Sequence, residues 1–540
     1  MMKNKKMNGG KVFFKTMLDG GVDTVFACPG TSEMQLVSEI GQTDGLNVIL
    51  GIHENVATGA ADGYGRMTDK PSLCLLHVAC GFTNGMANMH NARRASAPMV
   101  VFVGGVAAYH EVNNPEHQML RRPHQIAAAC TDWAREALTA DHMSDAGAEA
   151  LHVANSYPGK VAMVYGPSQA MWGDANLISQ PIDGTPGRKV APSVIDQLAQ
   201  DLKAGMKTAI LLGGRGLREE ALELVGRISA ATGAVLFHDS IPGRVQRGEG
   251  RVPANKIPYV VEEGQKVLAE YEQLVLVGAQ IPAPAFSYKG KALTKVPDSC
   301  AIKTLATVET DIMLALTQLA DAVGAPATPK EIQKRVTFDP PTGELIPHAI
   351  DQTIANLLPE DAIIVDEGQM ESFGFVGTTM GARKHDLLTA CTGGAIGAGA
   401  PIAIGASVAC PDRKVVLLDG DWSFMQTNQA LWTMAHENLD ICIVIYNNKG
   451  SRALEMELAR VRPGDATPKM MAMLDLKAPD LDWVNMAKGM GVEGSTAKTA
   501  EEFYTQFETA METKGPHLID ARVVSMAPAT IKMIRESLVL

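Results

Sequence analysis

Residues 414–450 read KVVLLDGDWSFMQTNQALWTMAHENLDICIVIYNNKG, and the order of elements in this stretch decides the fold. Val415 to Leu418 is an apolar run closed by Asp419-Gly420-Asp421, and Gln429 to His436 carries apolar side chains on one helical face. Ile441 to Tyr446 is β-rich and stops at Asn447-Asn448. Strand, crossover helix and strand make a parallel βαβ unit, whose ligands bind at the carboxyl ends of the strands. Asp421 and Asn448 fall there, 27 residues apart in the chain. One carboxylate and one amide oxygen cannot fill an octahedral shell; Mg²⁺ is held this way when phosphate oxygens and water complete it. The stretch therefore reads as a site for a metal-bridged diphosphate, against the plainer reading of a strand-to-helix loop with an Asx turn.

These residues resemble the signature of the thiamine-diphosphate enzymes that act on 2-oxo acids, in the branch of acetolactate synthase and benzoylformate decarboxylase. That signature is GDG followed by NN, and the resemblance implies Mg²⁺ on Asp421, Asn448 and the carbonyl of Gly450. Trp422 stands where the family has its second glycine. A tryptophan does not take a positive φ cheaply, so either the backbone there is ordinary αR or the diphosphate pocket is altered.

A chain of 540 residues exceeds what one core usually supports. With 46% hydrophobic and 20% charged residues it is globular, and a net charge of −12 argues against nucleic acid or an anionic membrane as the main partner. The eight cysteines form no CxxC pair and read as reduced core residues of a cytoplasmic protein. The start has no long apolar segment, and no run of 18 apolar residues occurs, so neither a signal peptide nor a membrane span is expected.

The first third alternates strand and helix, with strands expected at Thr24 to Ala27, Asn47 to Ile52, Ser72 to Val78 and Met99 to Gly104. Three turns after these strands carry candidate chemistry. Cys28-Pro29-Gly30-Thr31-Ser32-Glu33 is a strand-to-helix bend in which Ser32 can cap the next helix. His53-Glu54-Asn55 delivers an acid to the start of an Ala/Gly-rich helix, where it complements the helix dipole. His77 ends an apolar strand 23 residues after Glu54; such a histidine is either a hydrogen-bonded structural residue or an acid/base group. Between Ala107 and Gln125, the histidines lack metal-ligand spacing, and His117 and Gln118 are candidates for substrate contact near the site mouth.

The resemblance assigns Glu54 and His77 to catalysis. The glutamate would hydrogen-bond a pyrimidine nitrogen of the cofactor, whose own nitrogen then removes the thiazolium C2 proton; the histidine would transfer protons near that ring. It assigns Thr31, Gly394, Ile396, Gly420, Asp421, Trp422, Ser423 and Asn448 to the cofactor. Gly394 would offer its carbonyl to the aminopyrimidine, and Ile396 would be the apolar wedge that holds the cofactor bent. The bare reading of Thr392 to Pro401 is a glycine-rich packing helix.

Pro- and Gly-rich stretches at 174–192 and 324–347 read as linkers. They divide the chain into an N-terminal domain at 1–175, a central α/β domain at 190–330 and a C-terminal domain at 345–540. Each is expected to be an open, doubly wound parallel sheet, with the thiamine-diphosphate fold in the first and third. Central strands are expected at Thr208 to Leu212, Ala234 to His238 and Gln273 to Val277. Some relatives hold FAD or an adenine nucleotide in the central domain, but Gly213-Gly214-Arg215-Gly216 lacks the last glycine of GxGxxG and reads better as a tight turn.

The resemblance implies a homodimer or homotetramer in which the glutamate and the metal rim of one centre come from different subunits. It implies 2-oxo acid decarboxylation to an enamine followed by carboligation, as in acetolactate synthase. The alternative within enzymes is a simple decarboxylase that releases an aldehyde. The alternative of another class is a non-catalytic nucleotide-binding member, for which Trp422 is the best support.

Overall fold

The computed structural model describes residues 7–113, 123–462, 466–525 and 531; the candidates His117 and Gln118 lie outside them. Strands Ser72–Leu76, Met99–Gly105 and Val161–Pro167 are buried along their whole length, the pattern of parallel strands covered on both faces. The first sheet has six parallel strands in the order Asn47–Leu50, Thr24–Cys28, Ser72–Leu76, Met99–Gly105, Val161–Pro167, Trp133–Glu136. Numbered along the chain, that is 2-1-3-4-6-5. The connections therefore reverse between Thr24–Cys28 and Ser72–Leu76, and such a switch point opens a crevice at the strand ends.

A seven-stranded sheet in the C-terminal third runs His385–Thr389, Ala362–Glu367, Val415–Gly420, Ile441–Tyr446, His517–Ala521, Glu493–Ala497, and these six parallel strands repeat the 2-1-3-4-6-5 order. The central segment lends it an antiparallel edge strand, Val245–Arg247. The remaining sheet has five parallel strands in the order 3-2-1-4-5, from Asn255–Lys256 through Val235–His238, Thr208–Leu212 and Gln273–Val277 to Ala301–Ala306. At its switch point, Gly213 N–H donates to Val277 O at 2.9 Å, and Gly214 holds a positive φ of 51°. Backbone meets backbone there in a tight turn, as expected.

By contacts the chain divides into two compact units. The first comprises residues 1–186, 390–412 and 427–439, and the second 187–389, 413–426 and 440–540. The first unit has a core of Phe13, Phe14, Phe102, Met143 and Leu151. It also holds a helix crossing built on glycines: Gly63 of helix Glu54–Thr68 abuts the Ile402 carbonyl, and Gly405 of helix Gly399–Ala409 abuts the Ala60 carbonyl. A Cβ at either would overlap backbone, so only glycine permits this approach.

Several local expectations shift. The strand expected to reach Val78 ends at Leu76, and helix Val78–Ala95 starts at once, with Val78 at φ 30°. Strands Trp133–Glu136 and Glu493–Ala497 were not anticipated; both are partly exposed edge strands with polar residues, which blunts the alternation that marks a strand. Both linker stretches lack helix and extended strand over 176–190 and 325–346.

Candidate active site

In the first unit the chemistry gathers where the sheet reverses. His77 is the N-cap of helix Val78–Ala95 but makes no side-chain cap bond. Its Nδ1 instead lies 2.8 Å from Glu33 Oε2 and 3.1 Å from Ser32 Oγ. Glu33 is fully buried; it accepts the Gly30 N–H at 2.9 Å and the Ser32 hydroxyl at 2.7 Å. Ser32 therefore does not cap the following helix as expected, because its hydroxyl is drawn to Glu33 and His77. A carboxylate against Nδ1 fixes the ring and leaves Nε2 as the working edge. Gly30 is required for this: a Cβ there would overlap the imidazole. Thr31, one residue before Ser32, is exposed.

Glu54 opens its helix, with His53 as N-cap accepting the Asn55 N–H at 3.0 Å. It is half-buried in the single chain, not enclosed. Its Oε2 accepts from Asn84 Nδ2 at 3.1 Å, and Gly81 leaves room beside its Oε1. Burial, with the charges of Glu54 and Cys80 adding to it, pushes the Cys28 thiol up to about 11, so this neighbour stays protonated at neutral pH.

The glycine-rich segment also belongs to the first unit. Gly394 has φ 88° and open space where a side chain would stand, which exposes its backbone, while Ile396 is half-buried. Asn91 holds the segment: its Oδ1 accepts the N–H of Gly393 at 2.9 Å and of Ala395 at 3.3 Å, and its Nδ2 donates to Ala395 O at 2.9 Å. Arg66, in a buried pair with Asp62 at 2.5 Å, also reaches Thr392 Oγ1 at 3.2 Å. Asn91 follows Gly81 by ten residues in one helix, about 15 Å along its axis, so Glu54 and this segment meet opposite parts of helix Val78–Ala95.

The second unit carries the carboxylate rim. Asp421 begins the short helix Asp421–Phe424 and is 1% exposed. Its Oδ2 accepts the N–H of Lys449 at 2.6 Å and of Gly450 at 3.2 Å. Burial pushes its carboxyl up to about 6, against the pull of the backbone N–H groups of Lys449, Trp422 and Gly450. Asn448 donates Nδ2 to Glu371 Oε1 at 2.9 Å, while its buried Oδ1 has no hydrogen-bond partner. Trp422 lies in right-handed helix, so of the two expectations the ordinary backbone holds. Gly420 is extended at φ −83°. The Ser423 hydroxyl turns inward, donating to Asp419 Oδ1 and Gly420 O, so the cofactor role expected of Ser423 would not fall to this hydroxyl in its present direction.

Comparison with known proteins fits this arrangement. Residues 7–128 match the thiamine pyrophosphate enzyme N-terminal TPP binding domain, and residues 369–521 match the C-terminal TPP binding domain. A Mycobacterium tuberculosis (strain ATCC 25618 / H37Rv) protein with the provisional name acetolactate synthase large subunit IlvX is 38% identical over 522 residues, 96% of this chain and 100% of that one. The chain belongs to the thiamine pyrophosphate enzyme family. Benzoylformate decarboxylase of Pseudomonas aeruginosa is 26% identical, covering 94% of this chain and 97% of that one. The fold is shared with a thiamine diphosphate-dependent 4-hydroxybenzoylformate decarboxylase of Rhodococcus jostii RHA1, at TM-score 0.81 and 23% identity over 96% of this chain and 99% of the other.

The rim fits a magnesium diphosphate. Asn448 Oδ1 is a buried acceptor with nothing to accept, which is costly unless a ligand supplies the partner. A carboxylate, an amide oxygen and a backbone carbonyl are hard donors of the kind Mg²⁺ takes. Among the described residues no group of three or more His, Cys, Asp or Glu is placed to hold a metal, so a cation here depends on this mixed donor set.

Sequence reading missed Glu33 and Asn91. Glu33 stands inside a stretch that reads as a bend, and Asn91 in a helix with no motif at all. Their partners lie 44 and about 300 residues away, beyond any local pattern.

Proposed function

We propose that this enzyme decarboxylates a 2-oxo acid and passes the remaining fragment to a second carbonyl, as in acetolactate synthases. Thiamine diphosphate, when bound, would supply a nucleophilic carbon and an electron sink for decarboxylation. Asp421, Asn448 and the Gly450 carbonyl would hold the Mg²⁺ that accompanies its diphosphate. Glu54 would hold a proton against the pyrimidine ring, and Gly394 and Ile396 would position that ring. The buried, unpartnered Oδ1 of Asn448, which follows the strand paired with the one that ends just before Asp421, is the observation that carries the reading.

The single chain also supports a homodimer or tetramer as the working form. Glu54 and the glycine-rich segment meet helix Val78–Ala95 about 15 Å apart, so each would complete a centre with groups from a second copy. All eight cysteines are free thiols, which suits a reducing cytoplasmic setting.

A second reading is favoured by the His77–Glu33 pair. An imidazole fixed through Nδ1 can deliver a proton from Nε2 to the fragment, and the product is then a free aldehyde. Chromatography of the products from pyruvate and from benzoylformate separates the two. A hydroxyketone or acetolactate supports transfer, aldehyde alone supports protonation, and no CO₂ from either or from longer 2-oxo acids would refute both.

A further inference from the structure

Helix Arg452–Val461 leaves the metal rim two residues after Gly450. Its first turn is tied down, because Arg452 Nη2 donates to Asn448 O at 2.7 Å. Its next turns contribute Met456 and Ala459 to a small buried cluster with Ile531, against which Tyr259 and Met370 pack, and Met370 belongs to the turn Gln369–Ser372, whose Glu371 holds Asn448. One turn after Met456 stands Arg460, its side chain only 11% exposed, with the guanidinium 5.7 Å from the Tyr288 ring centre.

This guanidinium is ion-paired with Glu457 but lacks hydrogen bonds along one edge. Nε and Nη2 have no acceptor, and Glu457 Oε2, at 3.6 Å from Nε, is too distant to bond and has no donor of its own. A buried charged donor left unmade costs more than the ~1–3 kcal/mol of a neutral one. Nε and Nη2 form one edge of the guanidinium fork, the edge that takes both oxygens of a carboxylate in parallel. The other nearby acid, Glu262, is already engaged by Lys291 at 2.9 Å. Burial holds the Glu457 carboxyl above its usual range, with Arg460 opposing. Side chains in a helix lean toward its N-terminus, and the Arg460–Glu457 approach shows this lean. It brings the guanidinium back along the roughly 12 Å of helix that separates Arg460 from the rim.

We infer that Arg460 is a specificity-determining residue whose Nε and Nη2 edge, which lacks a hydrogen-bond acceptor, binds a carboxylate at the far end of the substrate, which makes the preferred substrate a dicarboxylic 2-oxo acid. This rests on the 2-oxo acid reading of the site, and the test keeps the two apart. Glutarate has the second carboxylate but no ketone, so it binds without reacting. Calorimetric titration of the full-length protein loaded with thiamine diphosphate and Mg²⁺ should show glutarate binding at least tenfold tighter than pentanoate. Arg460→Leu should erase that ratio, and Arg460→Gln, which keeps length and polarity, should do the same; if one variant fails to melt cooperatively, the other decides. Equal affinity for the two acids in the wild type, or an unchanged ratio in a folded variant, would overturn the inference. Glutarate binding through Arg460 with no CO₂ from any 2-oxo acid would instead defeat the catalytic reading and leave the subsite standing. Turnover of monocarboxylic 2-oxo acids without glutarate preference would do the reverse.

Discussion

Glu33 Oε2 lies 2.8 Å from His77 Nδ1, and the same buried carboxyl also takes the Gly30 N–H and the Ser32 hydroxyl. Two turns that follow adjacent strands of the first sheet are joined by this contact, at the point where strand order reverses. Removing the charge while keeping the shape should therefore loosen the imidazole without disturbing the sheet. In Glu33→Gln, kcat should fall roughly 10- to 100-fold, part of the 10²–10⁴ that a positioned acid or base contributes. The Kd for thiamine diphosphate should stay within about twofold, because Glu33 acts on the ring of His77. Steady-state kinetics beside a cofactor titration reads both. Gly30→Ala should reproduce the kcat loss by displacing the ring.

At the rim, Asp421→Asn keeps volume but removes the anionic oxygen that a magnesium ion would bind. The Mg²⁺ concentration needed for half-maximal thermal stabilisation by thiamine diphosphate should rise at least tenfold. Asn448→Ala should act in the same direction by deleting the unpartnered Oδ1. Chelation of wild-type protein should abolish the stabilisation, which at 100 times Kd amounts to about 2.7 kcal/mol.

The glycine crossing sets a stability prediction independent of catalysis. Gly63→Ala places a methyl against the Ile402 carbonyl and Gly405→Ala places one against the Ala60 carbonyl. Neither carbonyl is the end of a flexible side chain, so the helices must separate. Each variant should lose about 1–3 kcal/mol, the usual range for overpacking, as read by denaturant melts.

Asp351 gives a pH dependence. It is 1% exposed, its Oδ1 has no partner, and burial, with the Asp366 charge adding to it, pushes its carboxyl up to about 8. In the unfolded chain the group ionises near 3.9, so between about pH 4 and pH 8 the unfolded state has released a proton that the folded state keeps. Stability then declines as pH rises through that window. Asp351→Asn removes the ionisation, so its stability relative to wild type should grow with pH, by at most ~1.4 kcal/mol per unit, and level off above pH 8. Melts at pH 4.5, 6 and 7.5 check the trend; a constant difference would refute it.

What the sequence made legible was local. Asp421 and Asn448 sit in one βαβ unit, where strand, helix and strand fix both to one rim, so their spacing alone suggested a metal-bridged diphosphate. Glu54 and His77 became visible through resemblance, each at a strand-to-helix turn. Trp422 stands where the resemblance has a glycine, and its right-handed helical backbone is one any residue adopts. Glu33 was hidden for a different reason: its partner is set by two strands lying side by side, and nothing in residues 28–33 encodes His77. The same holds for Asn91, whose amide holds a segment some 300 residues away. Ser32 illustrates the opposite error, since capping propensity is local and a remote imidazole outcompeted it.

The most direct test of the central claim is exchange of the thiazolium C2 proton of bound thiamine diphosphate for deuterium, followed by NMR after acid quench. It needs no substrate and so is blind to which 2-oxo acid is used. The wild-type protein with Mg²⁺ should exchange far faster than free cofactor, and Glu54→Gln should fold, bind the cofactor and fall back toward the free rate. Exchange in the wild type no faster than in solution, or undiminished exchange in Glu54→Gln, would contradict the site assembled here.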